Sequence, residues 1–308
     1  MTAGRALVVG TRGSLLARRQ TEIVLDILSG RHPETRFEVE VMRTTGDRRA
    51  NERLHRMREE GVFVKELESA LLARRIDLAV HSLKDMPVDT TAGLAIAAVA
   101  KREDPRDALV TRDGLKLRDL PPGSRIATDS LRRACQLRAL RPDLRIVSIR
   151  GNVDTRIRKV EAGEAEGVIV AAAALARMGW TGRAAGIMDE RSMLPAPGQG
   201  AIALETRADD AAARDIASAA NDVDSERATA AERAFLRRLG GGCRVPIAAL
   251  GRIEGVALRL AGLVGDAAGE RIVRGEIAGP VDDAEALGAR LAEQLLSEGA
   301  RELLKEAT

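Results

Sequence analysis

Three sets of residues in this 308-residue chain have types and spacings suited to chemistry. The first is Gly240-Gly241-Gly242-Cys243-Arg244-Val245-Pro246, which sets one of only two cysteines beside three consecutive glycines. Glycines shield nothing and let a ligand approach the backbone, so a thiol placed there is open to alkylation or to covalent attachment of a group. The same stretch also reads as a turn followed by a small packed hydrophobe. The second set is Val80-His81-Ser82-Leu83-Lys84-Asp85-Met86-Pro87, at the end of an apolar run. A carboxylate beside a lysine and a hydroxyl can stabilise a developing cation or exchange protons with it; the plainer reading is a surface Lys84-Asp85 pair before a proline-limited turn. His81 reads as a partnered structural histidine rather than a base.

The third set is a recurring junction. Gly10-Thr11-Arg12-Gly13-Ser14-Leu15 passes from a strand pattern through a glycine turn into a helical one, so N–H groups, hydroxyls and Arg12 converge where a carboxylate or phosphate would sit. An ordinary Ser14 N-cap with a solvated arginine fits that segment equally well. Ala127-Thr128-Asp129-Ser130-Leu131-Arg132-Arg133 repeats the arrangement, and Ile149-Arg150-Gly151-Asn152-Val153-Asp154-Thr155-Arg156 is a further basic cluster after a strand. Such junctions at strand C-terminal ends predict a cleft lined for a polyanionic ligand.

Positioning these groups requires α/β units. Residues 6–9, 37–42, 76–80 and 94–99 read as strands, with helical patterns at 15–28 and 64–72, a βαβ order. The polar segment 101–107 is a candidate hinge, and 47–60 reads as a mobile lid. A second series follows, with strands at 125–128, 146–149 and 168–170 and helices at 131–140, 153–161 and 172–178. Two α/β units joined by a hinge usually hold ligand between them. The remainder differs in kind: a long helix over 226–239, strands at 245–250, 256–263 and 271–277, and helices at 284–296 and 300–305, an α+β arrangement on a small antiparallel sheet.

Composition bounds the function. With 45% hydrophobic and 31% charged residues the chain buries real cores but is long for one, so two or three domains are expected. No apolar run approaches the roughly 18 to 20 residues of a membrane span, and residues 1–5 lead into a strand pattern rather than a signal peptide, so no membrane association and a cytoplasmic location are expected. Two cysteines and three histidines make neither a disulfide framework nor a metal site, and no metal is expected. All but six of the 49 basic residues are arginine, whose planar fork pairs bidentately with carboxylate or phosphate. Codon bias of a GC-rich genome accounts for the total but not for where particular arginines fall. Interspersed acids, the absence of Tyr and only three Phe and one Trp speak against nucleic acid as a partner.

Across nearly its whole length, in order and spacing, the chain resembles the porphobilinogen deaminases, also called hydroxymethylbilane synthases. The resemblance rests on Thr11-Arg12-Gly13-Ser14, Gly61-Val62-Phe63-Val64-Lys65-Glu66-Leu67, His81-Ser82-Leu83-Lys84-Asp85-Met86-Pro87, Arg102-Glu103-Asp104-Pro105-Arg106-Asp107 and Ser130-Leu131-Arg132-Arg133. It continues through Arg150-Gly151-Asn152, Leu194-Pro195-Ala196-Pro197-Gly198-Gln199-Gly200, Ala231-Glu232-Arg233 and Gly241-Gly242-Cys243. It implies two periplasmic-binding-protein-like α/β domains around a cleft, residues 1–100 with 200–219 and residues 105–195, plus a smaller α+β domain at 222–308 carrying the cofactor cysteine.

The resemblance also implies a transferase of tetrapyrrole, porphyrin and heme biosynthesis. A dipyrromethane cofactor attached to Cys243 would prime the stepwise head-to-tail condensation of four porphobilinogen molecules, with loss of ammonia and hydrolytic release of hydroxymethylbilane. Asp85 is then the catalytic carboxylate, acting electrostatically on a cationic intermediate rather than as a strong acid. Lys84, Ser82, Thr128, Ser130, Arg132, Arg133, Arg150 and Gly151 are the expected cofactor-binding residues. Arg12, Ser14, Gln20, Arg150, Arg156, Arg177 and Gln199 are those expected for substrate. A monomer is expected, with a functional hand-off to a uroporphyrinogen-forming enzyme.

Two departures from the family pattern add negative charge: Thr128-Asp129-Ser130 where the family has Thr-Ser-Ser, and Arg58-Glu59-Glu60-Gly61 where it has Gly-Gly-Lys-Gly. If Asp129 faces the ligand, a like-charge contact at ~5 Å and an effective dielectric of ~20 costs roughly 3 kcal/mol. If it turns back as a helix cap or pairs with a neighbouring arginine, the cost is small. A diverged family member with weak or altered activity, or a non-enzymatic carboxylate-binding protein, are the alternative readings. The binder would need neither Asp85 nor a glycine-exposed cysteine.

Overall fold

The computed structural model of the chain describes residues 6–42, 64–240 and 245–306. Cys243, Glu60, the 47–60 segment and Gly61-Val62-Phe63 lie outside the described residues. The chain forms two compact units, the first containing residues 6–42, 64–103 and 201–226 and the second residues 104–200, 227–240 and 245–306.

The first unit opens with β1 (Leu7–Arg12), α1 (Leu15–Arg31), β2 (Phe37–Met42), α2 (Lys65–Leu72), β3 (Leu78–Ser82) and β4 (Leu94–Ala100). Helix α1 starts where the Ser14 hydroxyl accepts the Ala17 N–H at 3.2 Å. Its buried Ala17, Thr21, Val24 and Leu28 recur every three or four residues, which makes one apolar stripe. Val24 and Leu28 of that stripe pack with Leu7 and Val9 of β1, while Leu67 and Leu71 of α2 join Ile76 and Met42 in a separate cluster.

The second unit begins with β5 (Asp107–Thr111), β6 (Arg125–Ala127), α3 (Leu131–Leu140), β7 (Arg145–Val147), α4 (Val153–Glu161), β8 (Gly167–Ala171), α5 (Ala172–Arg177) and β9 (Gly186–Ile187). The chain then returns to the first unit with β10 (Ile202–Arg207) and α6 (Ala211–Ser218). The first sheet runs β2-β1-β3-β10-β4 and the second β7-β6-β8-β5-β9. In each, a central strand (β3 or β8) has a parallel neighbour on one side and an antiparallel one on the other. The expected pair of similar α/β sheets is therefore present, but each is mixed rather than purely βαβ.

The antiparallel strands β5 and β10 are missed by the apolar pattern, as are the two-residue β9 and helix α6. Residue 107 closes the expected polar hinge, yet Asp107 is fully buried and opens β5. All of β10 is buried, including Glu205, Thr206 and Arg207, so it shows no apolar alternation.

Helix α7 (Val223–Arg238) leads to β11 (Ile247–Glu254), β12 (Ala257–Gly265) and β13 (Ile272–Pro280), an antiparallel meander, and then to α8 (Ala284–Leu295) and α9 (Arg301–Glu306). Phe235 of α7 and Leu287, Leu291 and Leu295 of α8 bury Leu258, Leu260 and Val264 of β12. This is the smaller α+β portion expected from the sequence. Among the described residues no helix is long and apolar enough to cross a membrane.

Candidate active site

In the first unit the C-terminal ends of the neighbouring strands β1 and β3 bring two charged groups together. Arg12 closes β1, and a single 3-10 turn, Leu83–Asp85, follows β3. Arg12 Nη1 lies 3.9 Å from Asp85 Oδ2, with the side chains 16% and 34% exposed. A third of the Asp85 carboxylate side chain therefore stays open while its charge is held by a largely buried guanidinium. Asp85 is thus not the surface lysine-aspartate pair of the plainer reading, and Arg12 is not solvated. Ser14 does serve as the cap of α1, as the local alternative held. The buried Gln20 amide embraces the Ser82 hydroxyl, Nε2 donating at 3.0 Å and Oε1 accepting at 3.1 Å, and so ties α1 to the end of β3. Lys84 is exposed.

His81 faces the interior, its Nε2 3.1 Å from Glu205 Oε2 with both side chains buried. It is a partnered structural histidine, as expected. Burial, with the Glu205 charge adding to it, pushes the nearby Glu68 carboxyl above its usual range.

In the second unit the junction after β6 is held by its own hydroxyls. Buried Thr128 Oγ1 accepts the Ser130 N–H at 3.2 Å, and Ser130 caps α3 by accepting the Arg133 N–H at 3.4 Å. Arg132 and Arg133, both buried, converge on Asp107: Arg132 Nη1 donates to Oδ2 at 2.7 Å, and Arg133 donates to Oδ1 from Nε at 3.0 Å and Nη2 at 2.7 Å. Gln199, fully buried, donates from Nε2 to Asp107 Oδ1 at 2.9 Å and to the Pro105 carbonyl at 2.7 Å. Burial alone would raise the Asp107 pKa, but the two guanidinium groups hold it far below the carboxylate range. Two positive charges meet one negative one, so the cluster keeps a surplus of positive charge.

Asp129, in the junction after β6, meets the segment that follows β7: its Oδ1 accepts the Ser148 hydroxyl at 2.6 Å and its Oδ2 lies 3.3 Å from Arg150 Nε. Of the two outcomes open to Asp129, pairing with an arginine is the one observed. Arg156 Nε donates to the Gly151 carbonyl at 2.7 Å, and Gly151 has φ 107°, with Thr155 Cγ2 only 2.6 Å from where a Cβ would stand. Glycine is required there on both counts. The Arg177 guanidinium bonds the Gly200 carbonyl.

Asp107 and Glu232 are residues of this site whose roles the sequence did not disclose. Both stand inside motifs that carry the resemblance, and the apolar Ala108-Leu109-Val110 directly after Asp107 is the one sign of its burial. Glu232 of α7 accepts the buried N–H groups of Gly198 and Gly251, both at 2.7 Å, which fastens the loop carrying Gln199 to β11. Glu232→Gln turns one acceptor into a donor facing an N–H, so urea unfolding should show a loss of about 1–3 kcal/mol; an unchanged midpoint would contradict this account of the loop.

A dipyrromethane group, with its acetate and propionate arms, needs donors in excess of the resident acids. Arg150 Nη2 is buried and has no hydrogen-bond partner among the described residues, and Arg132 with Arg133 outnumber Asp107. The donor set fits such a group.

Comparison with known proteins agrees. Residues 7–215 match the family model described as porphobilinogen deaminase, dipyromethane cofactor binding domain, and residues 227–297 match porphobilinogen deaminase, C-terminal domain. The chain is 46% identical over 302 residues to porphobilinogen deaminase of Syntrophobacter fumaroxidans, covering 98% of each chain. It is 48% identical to that of Syntrophus aciditrophicus, covering 96% of this chain and 97% of the relative, and 46% identical to that of Thermus thermophilus, covering 98% and 99%. With both family domains matched and relatives aligned over nearly their full length, the chain belongs to the porphobilinogen deaminase family.

Proposed function

We infer that the chain joins four porphobilinogen molecules head to tail onto a dipyrromethane primer held by a thioether to Cys243, releasing ammonia at each addition and finally hydroxymethylbilane by hydrolysis. Family membership supports tetrapyrrole assembly from porphobilinogen. The observation that carries the stepwise chemistry is the open Asp85 carboxylate held against Arg12 at the ends of adjacent strands.

When bound, dipyrromethane supplies the pyrrole α-carbon at which the first carbon–carbon bond forms. Loss of ammonia from the aminomethyl group of porphobilinogen leaves a cation spread onto the pyrrole nitrogen, and Asp85 offers that cation a fixed negative charge. Asp85 would also be the group to accept the proton released when that carbon–carbon bond forms. Arg12 keeps a positive charge 3.9 Å from the carboxylate, and the Gln20–Ser82 contact steadies the end of the strand that leads to it. Lys84, Ser82, Thr128, Ser130, Arg132, Arg133, Arg150 and Gly151 hold the cofactor's arms. Arg12, Ser14, Gln20, Arg150, Arg156, Arg177 and Gln199 serve those of the substrate, Gln199 through its hold on Asp107.

The other cysteine supports this assignment. Cys135 is fully buried, and burial pushes its thiol up to about 11, which leaves it unreactive. Intact-protein mass spectrometry after expression with porphobilinogen available should show an increment of two linked pyrrole units that is lost in Cys243→Ser. An unmodified parent chain would instead favour a non-enzymatic carboxylate binder.

A further inference from the structure

The pair formed by Asp129 and Arg150 reaches beyond this reading, although it rests on it, because it bears on how tightly the Arg150 subsite takes carboxylates. Asp129 is 5% exposed and Arg150 17%. Ser148, itself exposed, donates to the first carboxylate oxygen, so Asp129 cannot swing away without giving up a 2.6 Å hydrogen bond. The second oxygen lies 3.3 Å from Arg150 Nε but makes no hydrogen bond, and Arg150 Nη2 is likewise buried without a partner among the described residues. Arg150 is thus electrically compensated on one edge and unsatisfied on another. The unsatisfied nitrogen is the one suited to a ligand acceptor.

The geometry points to Asp129 as a specificity-determining residue: a resident counter-charge that weakens carboxylate binding at Arg150 while leaving Arg150 Nη2 as a directional donor. Two effects oppose each other. By fixing the guanidinium, Asp129 spares a ligand part of the cost of ordering a long side chain. By standing within a few ångströms of the ligand carboxylate, it repels it. For groups this buried, like-charge repulsion across about 5 Å outweighs the ordering gain, because Arg150 is already confined by its surroundings. The net effect is looser binding. In an enzyme whose bound chain gains carboxylates with every addition, a looser subsite favours movement and release of that chain over its retention.

The test needs no turnover. The probe is porphobilinogen without its aminomethyl group, a pyrrole bearing acetate and propionate that binds but cannot condense, compared with its diester. Calorimetric titration of the parent chain, Asp129→Asn and Asp129→Ser at low and high salt gives the dissociation constants. Asp129→Asn keeps the shape and a contact to Ser148, and Asp129→Ser guards against a poorly folding amide variant. Because Asp129 is already paired with Arg150, removing its charge should tighten diacid binding by a smaller factor than an unpaired like charge would, about three- to tenfold, and steepen its salt dependence, with the diester unaffected. A purely structural role would not change the salt slope. Equal or weaker diacid binding in the folded variants overturns the inference while leaving the enzyme assignment intact. Failure of the parent chain to bind the diacid at all overturns both.

Discussion

Asp85→Asn should lower kcat on the order of a thousandfold while the mass increment on the chain is retained. The substitution keeps the size of the side chain at a position one-third open, so folding is not the quantity at risk. It removes the negative charge held against Arg12, leaving a positive charge beside the place where a second positive charge must develop on the pyrrole. Removing one preorganised electrostatic partner from an active site costs roughly a hundred- to a thousandfold, and loss of the proton acceptor for the later step adds to this. On the proposed assignment, in which arginines rather than Asp85 take the substrate's carboxylates, KM should change far less than kcat. Single-turnover release of ammonia measures the step directly. Near-normal release in Asp85→Asn would remove Asp85 from the chemistry.

Asp107→Ala should cost about 3–5 kcal/mol of stability, read from urea unfolding, because two buried guanidinium groups lose their common counter-charge. Backbone carbonyls of Leu194 and Ile169 still accept from Arg132 and Arg133, but they carry no compensating charge. The pH dependence follows from the depressed Asp107 carboxyl. Its contribution is complete above the unfolded carboxylate pKa of about 3.9 and is lost as pH falls from there toward the folded-state value. The parent protein should therefore lose stability below about pH 4 through this group, and the variant should lack that part of the acid sensitivity. Equal unfolding midpoints at neutral pH would mean that the arginines are compensated elsewhere.

Much of this architecture can be read from residue order, for identifiable reasons. Helices α3 and α4 coincide with their expected bounds, because apolar spacing at three and four residues follows a serine or asparagine at the N-cap position. Strand β2 is equally plain. What stays hidden is burial that depends on a distant partner. Asp107 looks like part of a polar connector until Arg132 and Arg133 are brought to it, and Glu205 makes sense inside a strand only with the His81 side chain against it. The candidate site divides the same way. Arginine-rich junctions, Asp85 and the glycine-flanked Cys243 are visible as residue types in suggestive settings. The Arg12–Asp85 contact, the hold of Gln199 on Asp107 and the pairing of Asp129 arise only once strand order brings the loops at the strand ends together.

Strand β10 also has a consequence for the order in which the chain can be made. It lies between β3 and β4, which do not neighbour each other in the sheet. While the polypeptide is being synthesised, residues 78–100 emerge long before 202–207, so the first sheet waits with an open slot in its middle and exposed strand edges. The second α/β sheet draws all its strands from residues 107–187 and meets no such delay. On the ribosome, the α/β sheet encoded later is therefore the one able to assemble first, and the N-terminal sheet is the late, chaperone-sensitive step.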